Sequence, residues 1–365
     1  MTDKHHFFSN SFREAQRRLR AAAQKMGVSA HNYMHPQRGV DGEPLGTDVY
    51  VFGNRFAPKI LAIESGTHGV EGYAGSAIQL ALVEDALANF SATDVAVVVV
   101  HAINPYGFSW RRRGDEQNID VNRNFVDFAD DNATRNDLFD VLAPLLVPKT
   151  WTEGEIENGD RALDRLRQDY GADVVSRALR RGQYHHPGSV FYGGQGPAWS
   201  RRTVERIAED YFATATEILL LDAHTGLGEM GQLQLLSVEP ATSPVFANLR
   251  TFVGPRLRST VDPSSGAANA TGNIFTGYAR CVPHARFVGV ALEFGTYDQS
   301  RVQRALRADA WAYLADDDPS RAAFRERSRA EMHETFCPSD LNWRNTVVTE
   351  GVDVYRRAFD LLTAS

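Results

Sequence analysis

Runs of apolar, often β-branched residues recur along the chain and are typical of buried strands. The runs are TDVYVF (47–52), KILAIES (59–65), DVAVVVVHAIN (94–104), EILLLDAH (217–224), QLQLLSV (232–238) and RFVGVALEF (286–294). Helical patterns are predicted over residues 11–26 and from about 72 to 87. Strands that are apolar along their whole length are buried on both faces of a sheet. The pattern therefore predicts an α/β fold in three layers, α/β/α, around a central mixed, mainly parallel sheet.

The chain carries no internal repeat, low-complexity tract or long Pro/Ser linker. We therefore predict a single domain over residues 1–365, with an insertion around 126–215. The C-terminal segment 302–365 is predicted to be helical, with WRNTVV (343–348) as an interruption. We assign that segment a packing role.

Composition excludes some classes of protein. The formal net charge of −7 argues against nucleic acid as the main partner, because a phosphate-binding surface needs a basic excess. No stretch has the length and apolar character needed to cross a bilayer, and MTDKHHFFSNSFREAQRRLR lacks the apolar region of a signal peptide. The two cysteines, Cys281 and Cys337, make no disulfide framework. We predict a cytoplasmic protein with no nucleic-acid or membrane partner; its oligomeric state stays open.

Polar residues stand at the ends of three predicted strands. His68 and Glu71 lie in SGTHGVEG, His224 ends LLLDAH, and Glu293 ends VALE. In open parallel sheets ligands bind at the carboxyl ends of the strands. Two imidazoles and one carboxylate are the protein ligands of many hydrolytic zinc sites, and a further carboxylate such as Glu293 can deprotonate a water there. The alternative is a solvated turn at residues 66–72, but His224 at a second strand end favours the metal site.

Other candidate residues are weighed against a structural role. Asp222 lies two residues before His224, so it points to the same side of the strand and can orient that ligand. His101 has no ligand-spaced partner, which favours a core histidine. The adjacent His185 and His186 are read as pocket or loop residues.

The segment NPYGFSWRRRGDEQNIDVNRNF (104–125) is rich in groups that bind carboxylates. These groups are Arg111, Arg112, Arg113, Asn122 and Arg123. Arginine pairs with a carboxylate through two parallel hydrogen bonds, and an arginine near a metal can also stabilise an oxyanion. Taken alone, the segment favours a solvated basic loop whose charge is balanced by Asp115, Glu116 and Asp120.

Together these motifs resemble the zinc carboxypeptidase superfamily, the carboxypeptidase A-like metallopeptidases, from residue 60 to about 298. The resemblance lies in H-x-x-E at His68 and Glu71, NP-x-G at 104–107, DVNRNF ending at Phe125, and the strand-end residues His224 and Glu293. SGTHGVEGYAGSA, HAINPYGF and LEFGTYD are similar to an uncharacterised bacterial branch, which is in turn similar to the aspartoacylase and succinylglutamate desuccinylase group.

The resemblance implies a role for each matching residue. His68, Glu71 and His224 hold one Zn²⁺ ion, and Glu293 is the general base and then the general acid. Asn122 and Arg123 grip the terminal carboxylate of the substrate. Either Arg112 or Arg113 polarises the scissile carbonyl, and the spacing leaves this choice open.

The chain departs from the family pattern at two places. The interval between the arginine run and Asn122 is short, and the mobile tyrosine of the family has no clear match. Tyr278 is the candidate for substrate binding, with Tyr297 as another tyrosine nearby. The Gly- and aromatic-rich loop 182–200 either rims the pocket or packs on the surface.

The expected function is hydrolysis of an amide beside a free carboxylate by a promoted-water mechanism, with a small peptide or an N-acyl amino acid as substrate. Two alternatives stay open: an N-acyl amino acid deacylase or esterase on the same site, and a non-catalytic zinc-containing binding protein. A nucleotide-binding protein is disfavoured because the phosphate-loop motifs are missing from the sequence.

Overall fold

A computed structural model of the chain describes residues 3–87, 94–262, 271–313 and 321–364. Within these residues one eight-stranded sheet forms the centre, with strand order β1-β2-β4-β3-β5-β8-β6-β7. The strands are β1 (His31–Arg38), β2 (Pro44–Phe52), β3 (Lys59–Ser65), β4 (Val95–His101), β5 (Glu217–Thr225), β6 (Leu233–Ser237), β7 (Leu257–Ser259) and β8 (Arg286–Phe294). The central strands β4, β3, β5 and β8 run parallel, whereas β1–β2, β2–β4 and β6–β8 pair antiparallel.

Helices cover the sheet and one end of it. They are α1 (Phe12–Lys25), α2 (Gly72–Ala81), α3 (Pro105–Trp110), α4 (Asp131–Thr134), α5 (Asp137–Leu146), α6 (Glu153–Tyr170), α7 (Ala172–Arg181), α8 (Trp199–Ile207), α9 (Pro244–Val253), α10 (Ile274–Cys281), α11 (Gln299–Tyr313), α12 (Ala322–Phe336) and α13 (Leu341–Ala364). One face packs against α1, α2, α9 and α13, and the other against α8 and α10. The predicted three-layer α/β/α fold with a mixed sheet is confirmed.

Alternate residues of the central strands feed two separate cores. Leu61 and Ile63 of β3 lie in the core under α2 and α13, and Ile60 and Ala62 lie in the core under α8 and α10. A strand with apolar residues on both faces cannot slip by one position without moving its polar end groups to the opposite face. The pairing of all seven residues of β3 with both β4 and β5 therefore fixes which way the residues after it point.

The predicted elements match closely where the strands are apolar. The predicted bounds 59–65 and 286–294 are those observed for β3 and β8. The edge strands β1 and β7 were not predicted, because β1 has the polar sequence HNYMHPQR and β7 has three residues. The predicted interruption at 343–348 is wrong, since α13 runs through it with Trp343, Val347 and Val348 buried.

A third apolar cluster lies beside the sheet. It joins α5, α6 and α7 of the predicted insertion 126–215 to α11 and α12 of the C-terminal segment. Among the described residues, no helix is both long and apolar enough to cross a membrane. The assignment of residues 1–365 to one domain stays a prediction.

The turn after β3 depends on the close approach of two backbones at a glycine. A Cβ on Gly69 would lie 2.0 Å from the carbonyl carbon of Gly107 in the first turn of α3. We expect Gly69→Ala to lower the free energy of unfolding by about 1–3 kcal/mol, because the two backbones must separate. Urea denaturation followed by circular dichroism measures this change.

Gly154 in α6 is the matched control. A Cβ there would meet no atom within 4 Å, so Gly154→Ala should leave the stability unchanged or raise it slightly. Equal unfolding midpoints for Gly69→Ala and the unmodified protein would contradict the argument from backbone contact.

Candidate metal centre

Two strand ends and one turn bring His68, Glu71 and His224 together. Strand β3 ends at Ser65, and the chain turns through Gly66, whose φ of 69° is in the left-handed region that glycine adopts without strain. His68 and Glu71 follow in this turn before α2, and His224 lies near the end of the neighbouring strand β5. The three side chains are buried, with His68 and Glu71 4% and 1% exposed.

The three side chains present a compact set of donor atoms. His224 Nδ1 lies 3.2 Å from His68 Nδ1 and 3.0 Å from Glu71 Oε2, and His68 Nδ1 lies 3.1 Å from Glu71 Oε1. Zinc ligands at 2.0–2.1 Å in a tetrahedron lie roughly 3.3 Å from one another. Of the described residues, these three make the group of His, Cys, Asp and Glu donors that could hold a metal ion.

Each histidine is held by a carboxylate on the far side of its ring. His68 Nε2 lies 3.0 Å from Asp120 Oδ1, and His224 Nε2 lies 2.8 Å from Asp222 Oδ2. A hydrogen bond from Nε2–H to a carboxylate leaves the Nδ1 lone pair for a metal. The donor set and its carboxylate supports therefore fit zinc. The sequence indicates for Asp120 only a counter-charge to the arginine run, because its place in DVNRNF carries no sign of a contact with His68.

Glu293 stands directly beside His224. The parallel pairing of β5 and β8 makes His224 and Glu293 Cα partners, so both side chains leave the sheet on the same face. Glu293 Oε1 accepts a hydrogen bond of 3.0 Å from the backbone N–H of Leu227. Burial, together with the negative charge of Glu71, raises the pKa of Glu293 to about 8. A carboxylate of this basicity accepts a proton more readily than an ordinary glutamate.

The arginine run separates into three different environments. Arg113 donates from Nε to Asp120 Oδ2 at 3.0 Å and from Nη1 to Glu71 Oε1 at 3.2 Å, so it borders the metal ligands. Arg111 ends α3 and donates to the backbone carbonyl of Asn10 at the surface.

Arg112 points away from the metal ligands. Its guanidinium is paired with Asp309 at 3.0 Å, donates to Asn118 and lies over the ring of Tyr313. A catalytic role for Arg112 does not fit this placement, and the choice that the sequence left open falls on Arg113.

Asn122 and Arg123 face the cavity that opens at the metal ligands. Asn122 Oδ1 accepts a 2.9 Å hydrogen bond from the backbone N–H of Ile274, which fixes the amide. Arg123 donates from Nε to the carbonyl of Arg180 at 3.0 Å, and it is buried. The structure thus brings both predicted carboxylate-binding residues to the site.

Tyr278 does not reach the cavity. It is fully buried in α10, packs against Phe212, and donates its hydroxyl hydrogen bond to Glu64. The substrate-binding role predicted for Tyr278 does not fit this position. Tyr297, the other tyrosine considered, donates to Glu334.

The cavity has a volume of about 800 Å³ and a mainly apolar wall. The wall of the cavity includes Leu146, Leu179, Val190, Phe191, Leu236, Val238, Phe275, Val302, Leu306 and Phe336. Part of it comes from α11 and α12, so the C-terminal segment lines the cavity in addition to packing in the third apolar cluster. The loop 182–200 contributes Val190 and Phe191 and therefore rims the pocket in part. No sequence motif marks these residues, because apolar positions on a helix look alike whether they line a core or a cavity.

The remaining histidines lie outside the site. His101 is fully buried and contacts Ser76 Oγ at 3.1 Å, which agrees with the structural role favoured for it. His186 lies 2.7 Å from Asp140 Oδ1 at the surface.

The contact between Asp120 and His68 predicts the first measurable property of the site. We expect Asp120→Asn to weaken zinc binding about 10–100-fold, because it loses the carboxylate that orients the imidazole. Competition with a chromogenic chelator measures the dissociation constant.

Asp140→Asn is the matched control, since Asp140 also contacts a histidine ring but lies at the surface away from the ligands. Its zinc affinity should equal that of the unmodified protein. Equal affinities in the Asp120 and Asp140 variants would contradict the orienting role of Asp120.

Known proteins resemble the chain in sequence family and in fold. The profile of a family described as Protein of unknown function (DUF2817) matches residues 8–350. No curated protein sequence matches the chain significantly.

Three solved structures resemble the chain to different degrees. Bovine thrombin-activatable fibrinolysis inhibitor in complex with tick carboxypeptidase inhibitor is 10% identical, with 98% of both chains covered and a TM-score of 0.52. Carboxypeptidase A from Helicoverpa armigera is 14% identical over 98% of this chain and 74% of its own, with a TM-score of 0.48. An aspartoacylase family protein from Mesorhizobium loti is 14% identical over 79% and 67%, with a TM-score of 0.35. The likeness to the bovine protein confirms the expected carboxypeptidase-like fold.

Proposed function

The chain belongs to the DUF2817 family, and we propose that it is a zinc-dependent hydrolase that cleaves an amide bond next to a free carboxylate. The observation that carries this proposal is the convergence of His68, Glu71 and His224, with Glu293 as the Cα partner of His224, in the wall of one cavity. A non-catalytic zinc protein does not need a basic carboxylate at this point, so the position of Glu293 favours an enzyme.

We assign a role to each side chain that borders this group. When bound by His68, Glu71 and His224, zinc supplies Lewis acidity that polarises a carbonyl and lowers the pKa of a water. Glu293 takes the proton from the attacking water and returns it to the departing nitrogen. Its backbone hydrogen bond from Leu227 holds the carboxylate in place for both transfers.

Arg113 is the residue we assign to the developing oxyanion. Its Nε and Nη1 are engaged by Asp120 and Glu71, so the guanidinium is fixed before the substrate arrives. A donor that needs no reorganisation stabilises charge in the transition state more than one that must first be ordered.

The substrate class follows from the charges and the wall of the cavity. Arg123 and Asn122 supply a cation and an amide for a terminal carboxylate, and the apolar wall suits an apolar side chain or acyl group. A cavity of about 800 Å³ accommodates a small peptide or an N-acyl amino acid. The metallocarboxypeptidase and the N-acyl amino acid deacylase or esterase share this site, and a panel of peptides and acylated amino acids separates them.

Glu293→Gln tests the chemistry directly. We expect turnover to fall by at least about 10²-fold with the zinc content unchanged, because the amide cannot accept the proton. Elemental analysis and amide hydrolysis across the substrate panel measure both quantities. Glu205→Gln, on α8 away from the cavity, is the control and should retain full activity. Full activity of the Glu293 variant would overturn the assignment.

The two neighbouring arginines give a second test. We expect Arg113→Ala to lower kcat about 10²–10³-fold with little change in KM, because the contact acts mainly in the transition state. Arg112→Lys keeps the charge beside Asp309, so it should cost stability while kcat stays within about twofold. A larger loss of kcat in the Arg112 variant than in the Arg113 variant would reverse the assignment.

A further inference from the structure

Two acidic side chains lie next to each other below the metal ligands. Glu64 on β3 and Asp222 on β5 are Cα partners in the parallel pairing of these strands, so their side chains leave the sheet on the same face. Neighbouring strands are about 4.8 Å apart, which brings the two carboxyl groups close together. Both residues are completely buried, with an exposed fraction of 0%.

Each of these two carboxyl groups has one oxygen with hydrogen-bond partners and one without, among the residues that the structure describes. Tyr278 donates to Glu64 Oε1, whereas Asp222 Oδ2 accepts from His224 Nε2 and from Thr67 Oγ1, each at 2.8 Å. Among the described residues, Glu64 Oε2 and Asp222 Oδ1 have no hydrogen-bond partner. Buried polar atoms of native proteins are almost always paired, so one proton between these two oxygens satisfies both.

We propose that Glu64 is a neutral carboxylic acid that donates a hydrogen bond from Oε2 to Asp222 Oδ1 and so acts as a positioning residue for His224. The inference rests on the proposed function in that His224 is taken as a metal ligand. It adds a chain of contacts, Tyr278 to Glu64 to Asp222 to His224, that runs from α10 to the ligand.

The proton belongs to Glu64 and not to Asp222. Asp222 accepts two hydrogen bonds, from His224 and Thr67, whereas Glu64 accepts one, from Tyr278. Burial, and next the charge of Asp222, hold the pKa of the Glu64 carboxyl well above its usual range. Two adjacent carboxylates in a dry interior do not both ionise, so one of them keeps a proton.

A neutral Glu64 anchors the second oxygen of Asp222. With both oxygens held, the Asp222 carboxylate cannot rotate, and its contact with His224 Nε2 fixes the tautomer that leaves Nδ1 available. Glu64 therefore acts on the metal site through Asp222 without contacting the substrate. The same arrangement assigns Tyr278 a supporting place in the contact chain.

Two variants of Glu64 separate hydrogen bonding from charge and from packing. Glu64→Gln keeps an uncharged donor toward Asp222 and an acceptor toward Tyr278. Glu64→Leu keeps much of the volume but neither hydrogen bond. Ser65→Ala is the control, since Ser65 lies on the opposite face of β3 and bonds Gln79 at 2.9 Å.

The experiment measures the zinc dissociation constant by chelator competition and the infrared spectrum of the full chain with and without zinc. We expect Glu64→Gln to stay within about twofold of the unmodified zinc affinity and Glu64→Leu to lose about tenfold. The infrared difference between the unmodified protein and Glu64→Gln should contain the carbonyl band of a protonated carboxylic acid. Ser65→Ala should change neither quantity.

Equal zinc affinities in the Glu64→Leu variant and the unmodified protein would overturn the positioning role. An equal loss in Glu64→Gln and Glu64→Leu would show that a neutral donor does not replace Glu64, and an infrared difference without the acid band would show that Glu64 is ionised; either result would overturn the proposal. Neither readout uses turnover, so a protein that hydrolyses no amide yet shows this order of affinities would refute the proposed function alone. The infrared band decides the protonation of Glu64 even if Glu64→Leu fails to fold.

Discussion

The in-register pairing of β3, β5 and β8 is the constraint on which the site depends. It places the turn after Ser65 beside the end of β5 and makes Glu293 the neighbour of His224. Strand side chains alternate between faces, so a slip of one residue in β5 would turn His224 into the opposite core. Such a slip would also carry Asp222 and His224 into the opposite apolar core, where they would be buried without their present hydrogen-bond partners. The chemistry of the strand ends thus rests on the hydrophobic packing of the strand centres.

The same burial makes charge pairing necessary. His68, Glu71, Asp120 and Arg113 are held in contact with one another in a region with little access to water. Removing one member of such a group leaves another charge buried and unpaired, which costs more than the pair itself gains. The burial of Asp120 alone would raise its pKa, but Arg113 foremost and then His68 hold that pKa well below its usual range. Charge pairing with Asp120 and Arg113 therefore positions His68 and Glu71, in addition to the backbone geometry.

The sequence predicts the parts of this arrangement that local pattern determines. The bounds of β3 and β8, and the ligands at the ends of β3 and β5, follow from apolar runs that stop at polar residues. The edge strand β1 cannot be predicted in this way, because most of its residues are polar and exposed and it therefore contains no apolar run.

The sequence also cannot distinguish adjacent residues of the same type, as in the arginine run. Arg111 has a left-handed φ of 56°, and the turn that it makes sends Arg112 toward Asp309 and Arg113 toward Glu71. The role predicted for Tyr278 does not fit for a related reason. Its spacing from Glu293 along the chain carries no information about the buried Glu64, to which its hydroxyl group donates. The cavity wall shows a wider reason for the limits of prediction. Leu306 on α11 and Phe336 on α12 line this wall, but no motif marks them, because an apolar position on a helix has the same pattern whether it faces a core or a cavity.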